Sequence, residues 1–544
     1  MLLVALAVSL AHAEPTPTEA WLHLEIGEEG PFRGRVRYAV ALDETTTELH
    51  VDASPRVRVG RASLAREAGG GTALAVSTVG DVVTLRPPGP ILPGTVLLTL
   101  DFTTRGSTED QTGFFAVQGK NGPFYYSYFE PNHAREAFPC FDAPRFKPRW
   151  TVEVVAPSRF TVATNAPLVA VVSLARANRW EFAKSPPMPS YLVAVAAGAF
   201  HVSTVRGVGR GDLNVRVLAP SENAGIAVSR QVRGAVERVE AWMDAPLPWP
   251  KLDVVVSEAE TWFGAMEHPG LILARRNDDA DVAGAILVHE LLHFWFGDVV
   301  TPRTWADVWL SEGPAYWATG PIPGSDTAAW FWDGGLQWGT PGAVRPAAVG
   351  GRELELTHRQ QWGAAALLEL LDTWRSLQPS DAPSLRAVLL DYVALRLDGH
   401  SDTGTFVAAL AAAWPDLPVE PVLLGLLDEP GTPTVALSWA CDSPSATDAP
   451  SATVYLTQTR GPGRSGLPPL PVFIRAEGGP SFAVLVEDSL TLHLGTCPAW
   501  LVGNATGAGF YRVDYDAPAR AALDTYAAGD ALTDRERFAV DAKP

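Results

Sequence analysis

His289-Glu290-Leu291-Leu292-His293, followed after eighteen residues by Glu312, is the stretch that decides the reading of this chain. On a helix, positions i and i+4 share one face, so both imidazoles point the same way. That geometry suits two ligands of one tetrahedral Zn²⁺, with a carboxylate as the third and a fourth position left for water. Glu290 directly follows the first histidine, the place of a general base acting on that water. The flanks Ala285-Ile286-Leu287-Val288 and Leu291-Leu292 are apolar, as expected of a helix buried on most sides. The plainer alternative is a pair of core histidines satisfied by backbone carbonyls. It leaves Glu290 costly to bury without a partner. Glu312 sits in Trp305-Ala306-Asp307-Val308-Trp309-Leu310-Ser311-Glu312-Gly313-Pro314-Ala315-Tyr316-Trp317, another apolar helical pattern in which a lone acid needs a partner. One zinc ion per chain, held by His289, His293 and Glu312, answers both needs.

The rest of the chain bounds the setting. At 544 residues it is long enough for several domains, and 47% apolar residues is ordinary for globular proteins. A formal charge of −19 argues against nucleic acid or an anionic membrane surface as partner. Met1 to Ala13 reads as an export leader: Leu2 to Leu10 is apolar, and Ala11-His12-Ala13 fits a small-x-small cleavage site, although a basic start is missing. No other stretch reaches the eighteen apolar residues needed to span a bilayer. A secreted or periplasmic protein without an integral membrane span is therefore expected. Of three cysteines, Cys441 and Cys497 fall in one strand-rich region, where either a bridge or two buried thiols would fit, and Cys140 reads as a small buried apolar residue.

The pattern along the chain is multidomain α+β. From about Trp21 to Phe200, short β-rich runs such as Arg35 to Leu42 and Val96 to Phe102 alternate with turn clusters such as Arg86-Pro87-Pro88-Gly89-Pro90. From about Ser203 to Pro418 the character is α/β and then helical. Helices are expected over Ile226 to Met243, Asp281 to Phe296, Ala364 to Leu377 and Thr405 to Trp414, with a strand around Leu252 to Val256. Strands return from Thr432 to Ala499, around a Gly/Pro loop at Gly461 to Pro469, and an Ala-rich helical pattern follows Phe510 to Tyr515. The expected boundaries are residues 1–13 for the leader, then 14–202, 203–420, 430–500 and 501–544.

The segment from His289 to Trp317 resembles the zinc core of the M1 (gluzincin) aminopeptidases. Gly264-Ala265-Met266-Glu267-His268 is similar to that family's Gly-Ala-Met-Glu-Asn motif. The resemblance implies substrate contacts from Gly264, Ala265 and Met266, and a role for Glu267 in holding a free α-amine. Tyr128 to Arg135 with Phe138 to Asp142 looks like the family's first-domain signature, which makes Glu130 a second amine-binding acid. Met188 to Ala194 resembles the end of that first domain. Trp500 to Asn504 with Gly509 to Tyr515 resembles the entry to a C-terminal helical domain. The implied architecture is an N-terminal β saddle or sandwich, a thermolysin-like zinc domain, a small β-sandwich and the start of a helical domain. The implied activity is removal of the N-terminal residue from peptides with a free N-terminus.

Several positions depart from the family pattern. The family's oxyanion-stabilising Tyr has no counterpart between Tyr316 and Tyr392; Gln360 stands at the matching place, with His358 nearby as another donor. His268 replaces an Asn, Phe294 a Gln, and Tyr128 a Gln near the substrate pocket. Pro314 would remove a helical hydrogen bond unless it fell in a first turn. Two rival readings stay open: a zinc protein that binds peptide N-termini with weak or no turnover, favoured by Gln360, and a zinc endopeptidase, which would cut N-terminally blocked peptides.

Overall fold

The computed structural model describes residues 14–27, 32–66, 71–107, 110–120, 122–258, 264–320, 343–345, 359–442, 450–459, 466–526 and 531–541. The leader at 1–13, His358 and most of the Gly461 to Pro469 loop lie outside them. The chain forms two compact units, Met1–Glu240 with Ala245–Ile286, and Ala241–Asp244 with Leu287–Pro544.

The first unit is β-rich. Among the described residues, its largest sheet is centred on Thr16–Glu25, Phe32–Leu42 and Gly94–Thr104. Phe32–Leu42 and Gly94–Thr104 pair antiparallel, with Val36 opposite Leu100 and Tyr38 opposite Leu98. The period-two pattern of Arg35 to Leu42 thus becomes a half-buried strand. A second sheet in this unit holds the parallel strands Leu213–Ala219, Asp253–Ser257 and Leu271–Arg275. Asp253–Ser257 is buried at every position, as parallel strands covered on both faces are. The crossover between its first two strands is helix α1, Glu222–Met243, closed by Pro246-Leu247-Pro248-Trp249-Pro250.

The short strand Ala265–Met266 lies at the edge of that sheet, pairing with Leu271–Arg275 through Ala265 opposite Ala274 and Met266 opposite Leu273. His268-Pro269-Gly270-Leu271 makes the turn between them. Leu271 N–H donates to the His268 carbonyl at 2.8 Å, and Gly270 takes φ +77°, the conformation a type II turn needs at its third residue. The His268 side chain is fully buried and its Nε2 lies 3.3 Å from the Ser127 carbonyl. Burial pushes its pKa from 6.5 down to about 4. The imidazole is therefore neutral and braces Glu267's turn against the strand Gly122–Tyr128.

The second unit carries most helices. Helix α2, Ala280–Leu292, enters it at Leu287. It ends four residues earlier than the expected Phe296. Beyond Leu292 the bonds tighten to Phe294 N–H on Leu291 and Trp295 N–H on Leu292, and Gly297 turns the chain at φ +125°. Helix α3 is Trp309–Thr319, with α4 Ala364–Ser376, α5 Leu385–Ala394, α6 Thr403–Ala413 and α7 Val419–Asp428 after it. Pro314 falls beyond the first turn of α3, so the helix forgoes one interior bond. The start of α3 is held from outside. Asp307 Oδ1 accepts from the Thr403 N–H and hydroxyl at 2.9 and 2.8 Å, and Trp309 Nε1 donates to Thr403 Oγ1 at 3.0 Å. At Gly313, α3 packs so closely on α4 that a Cβ would lie 2.9 Å from that of Ala364.

Two further sheets follow. One contains Thr434–Cys441, Ala452–Thr459, Ser489–Leu494 and Arg512–Tyr515; the other contains Leu470–Ala476, Phe482–Val486 and Leu501–Val502. Cys441 and Cys497 form a disulfide with Cα atoms 5.4 Å apart, while Cys140 is a buried free thiol. Leu523 of helix α8, Ala517–Tyr526, Val540 of α9, Asp534–Asp541, and Leu532 just ahead of α9 pack against Trp500 and Val502. On α4, Glu369 accepts from Trp317 Nε1 of α3 and from Arg535 of α9, both at 2.9 Å. Among the described residues, no helix is long and apolar enough to cross a membrane.

Two predictions follow from these packings. Gly313→Val overpacks the α3–α4 contact and is expected to cost about 1–3 kcal/mol, read from denaturant unfolding. For His268, the folded pKa lies below the unfolded one, so between pH 6.5 and about 4 the unfolded chain binds a proton that the native chain refuses. Stability should fall as pH drops through that window, and His268→Asn should flatten this part of the profile. An unchanged slope in urea denaturation across the window would refute the buried neutral imidazole.

Candidate metal centre

The helical spacing of the HExxH motif survives the early end of α2. His293 N–H still donates to the His289 carbonyl at 3.3 Å, so the two imidazoles remain one turn apart. Their Nε2 atoms face each other at 3.1 Å and the rings stand at 86°. Two nitrogens bound to one tetrahedral zinc ion are about 3.3 Å apart. Glu312, from α3, brings Oε2 to 4.0 Å from His293 Nε2. One ligand atom from each of His289, His293 and Glu312 lies within 4.8 Å of the others. The donor set, two imidazoles and one carboxylate, is that of a zinc site with an open position.

The electrostatics fit the same group. Burial, and after it the neighbouring His293 imidazole, push His289 well below the ordinary histidine value. A neutral imidazole is the form that binds a metal. His293 Nδ1 lies 2.9 Å from the Phe296 carbonyl. A proton on Nδ1 donates to that oxygen and leaves Nε2 free as the ligand. Glu312 and Glu290 are 3% and 5% exposed, so bulk water solvates neither. These residues can hold a divalent ion.

The first unit contributes a second cluster. Glu130 follows the strand Gly122–Tyr128, and Glu267 follows the strand Ala265–Met266. Both are buried, and an oxygen of one carboxylate lies within 4.8 Å of an oxygen of the other. Two carboxylates this close repel each other unless a cation lies with them. Gly264 anchors the hairpin's other end, its carbonyl accepting from Arg275 N–H at 2.9 Å.

The remaining expected residues are placed as follows. Gln360 stands in a short π-helical turn, Arg359–Gly363, that opens into α4. It is buried, and its Nε2 donates to the Ala343 carbonyl at 3.4 Å. His358 is outside the described residues. Sequence reasoning missed two neighbours of the candidate ligands. Ser311 Oγ lies 3.2 Å from His293 Nδ1, and the Tyr316 ring lies 3.9 Å from the His289 ring. Helical register was a usable signal, since Ser311 and Tyr316 bracket Glu312 at −1 and +4.

Residues 16–192 match the Peptidase M1 N-terminal domain, and residues 230–330 match the Peptidase family M1 domain. Aminopeptidase M1-D of Oryza sativa subsp. japonica is 30% identical over 305 residues, covering 53% of this chain and 34% of the relative. Tricorn protease-interacting factor F2 of Thermoplasma acidophilum is 25% identical over 444 residues, covering 77% and 54%. Leucyl aminopeptidase of Saccharolobus solfataricus is 28% identical over 249 residues, covering 44% and 31%. The chain thus matches between about a third and about half the length of these relatives. A β-rich N-terminal domain followed by the HExxH-bearing domain, each matched by its own family description, makes this chain a member of the M1 peptidase family.

Proposed function

We propose that the chain is a zinc aminopeptidase, cutting the first peptide bond of peptides with a free N-terminus. The observation that carries the reading is the convergence of half-buried His289 with buried His293 and Glu312 within 4.8 Å. Zinc held there supplies Lewis-acid polarisation of the scissile carbonyl and acidification of the attacking water. Glu290 takes the proton from that water and passes it to the departing amine. Glu130 and Glu267 bind the substrate's α-ammonium group, which relieves their mutual repulsion. Holding that end sets the register of the peptide, so that its first bond reacts and internal bonds do not. Gly264, Ala265 and Met266 present their backbone along a strand that is at the sheet edge among the described residues, suited to pairing with an extended peptide. The leader-like first thirteen residues support export to the periplasm or beyond the cell.

One observation favours a second reading, a zinc protein that binds peptide N-termini with little turnover. Gln360 replaces the family's Tyr, and its amide is turned to the Ala343 carbonyl. Loss of one oxyanion donor costs on the order of 10²–10³ in rate.

Hydrolysis of aminoacyl-arylamides by zinc-quantified protein separates the two. Zinc-dependent release is expected, falling roughly 10²–10⁴-fold in Glu290→Gln at unchanged zinc content. Full zinc loading with no release above that variant would favour the binding protein. A companion prediction concerns the amine clamp: Glu267→Gln should raise KM for free-amine substrates by roughly 10- to 100-fold. Equal cleavage of N-acetylated peptides would instead identify an endopeptidase.

A further inference from the structure

Helix α3 supplies Glu312, but two of its other side chains touch the remaining ligands. Ser311 Oγ lies 3.2 Å from His293 Nδ1 and donates to the Phe296 carbonyl at 3.1 Å, the same oxygen that faces His293 Nδ1 at 2.9 Å. The Ser311 hydroxyl oxygen and the Phe296 carbonyl are therefore two acceptors around one imidazole nitrogen. Together they favour the tautomer with its proton on Nδ1 and its lone pair on Nε2. Ser311 is only 4% exposed, so solvent is a poor substitute for its hydroxyl. Gly297 makes this approach possible, because a Cβ there would sit 2.3 Å from Ser311 Oγ.

On the other side of Glu312, Tyr316 sits one helical turn on. Its ring centroid is 3.9 Å from that of His289, with the planes at 41°. Trp362 backs it edge-on at 6.2 Å and 89°. An imidazole pressed against a backed aromatic ring has little freedom to rotate.

We infer that α3 positions the whole ligand set: Ser311 fixes the tautomer of His293, and Tyr316 fixes the plane of His289. Both are positioning residues, acting through the imidazoles. This rests on the reading of His289, His293 and Glu312 as a zinc centre. Removing partners of this kind typically weakens metal affinity by roughly 10- to 100-fold. The stacking role belongs to the ring of Tyr316 and needs no hydroxyl.

The test is competition for zinc between the full chain and a chromophoric chelator, with the unfolding midpoint of each metal-free variant measured alongside. Ser311→Ala and Tyr316→Leu are each expected to weaken zinc binding by roughly 10- to 100-fold while the metal-free midpoint stays at the parent value. Tyr316→Phe, which keeps the ring, is expected to bind zinc as the parent does. Parent-like affinity in both Ser311→Ala and Tyr316→Leu would overturn the inference and leave the zinc centre standing. So would an affinity loss matched by an equal loss of metal-free stability, which would mark the two as fold-supporting only. A parent chain that binds no zinc, or a His293→Ala variant that binds as well as the parent, would sink the zinc centre itself.

Discussion

Buried polarity without solvent is the constraint around which the second unit is arranged. His293, Glu290 and Glu312 are all nearly inaccessible, and their neighbours Leu291, Leu292, Trp309, Leu310 and Ala315 are apolar and buried. Ionised groups in such a place are costly unless they are paired or coordinate a metal. Locally His289, His293 and Glu312 face one another, and at longer range the helices that carry them are fixed. Asp307 gives one carboxylate oxygen to Thr403, at the start of α6, and the other to Thr304, and so clamps the entry to α3. Gly313 lets α3 lie directly on α4.

Much of this was legible in the sequence, for a physical reason. HExxH encodes its geometry in helical spacing, so His289, Glu290 and His293 could be read without a fold. Glu312 stood out because a carboxylate among Trp309, Leu310 and Ala315 is costly to bury. The period-two run Arg35 to Leu42 is part of Phe32–Leu42, the apolar run Val96 to Phe102 is part of Gly94–Thr104, and the strand expected around Leu252 to Val256 is Asp253–Ser257. The end of α2 was read too late because apolar residues run on through Phe294-Trp295-Phe296. It is Gly297, at φ +125°, that turns the chain there, and a glycine after a helix does not announce how many residues before it the pattern tightens.

What the sequence could not show were contacts between distant positions. Glu130 and Glu267 have no shared local pattern, and only a family resemblance linked them. Asp307 and Thr403 are 96 residues apart, and the threonine looks like an ordinary helix start. The Cys441–Cys497 pairing and two isolated thiols were equally consistent with composition, and the 5.4 Å Cα separation decides between them. Gln360 lies just ahead of α4, but the π-helical turn there has no signature in Arg359-Gln360-Gln361-Trp362-Gly363.

Glu369 divides its two oxygens between Trp317, five residues past the third candidate ligand, and Arg535 on α9. One carboxylate thereby makes residues more than two hundred positions apart depend on each other for a hydrogen-bond partner. Opening α9 would strip the half-buried Glu369 of its Arg535 partner and leave the Trp317 indole holding a less satisfied acceptor. Local unfolding of α9 then removes one of the two partners of the carboxylate that also holds α3. The setting of α3 is, in that sense, tied through one side chain to a helix near residue 535.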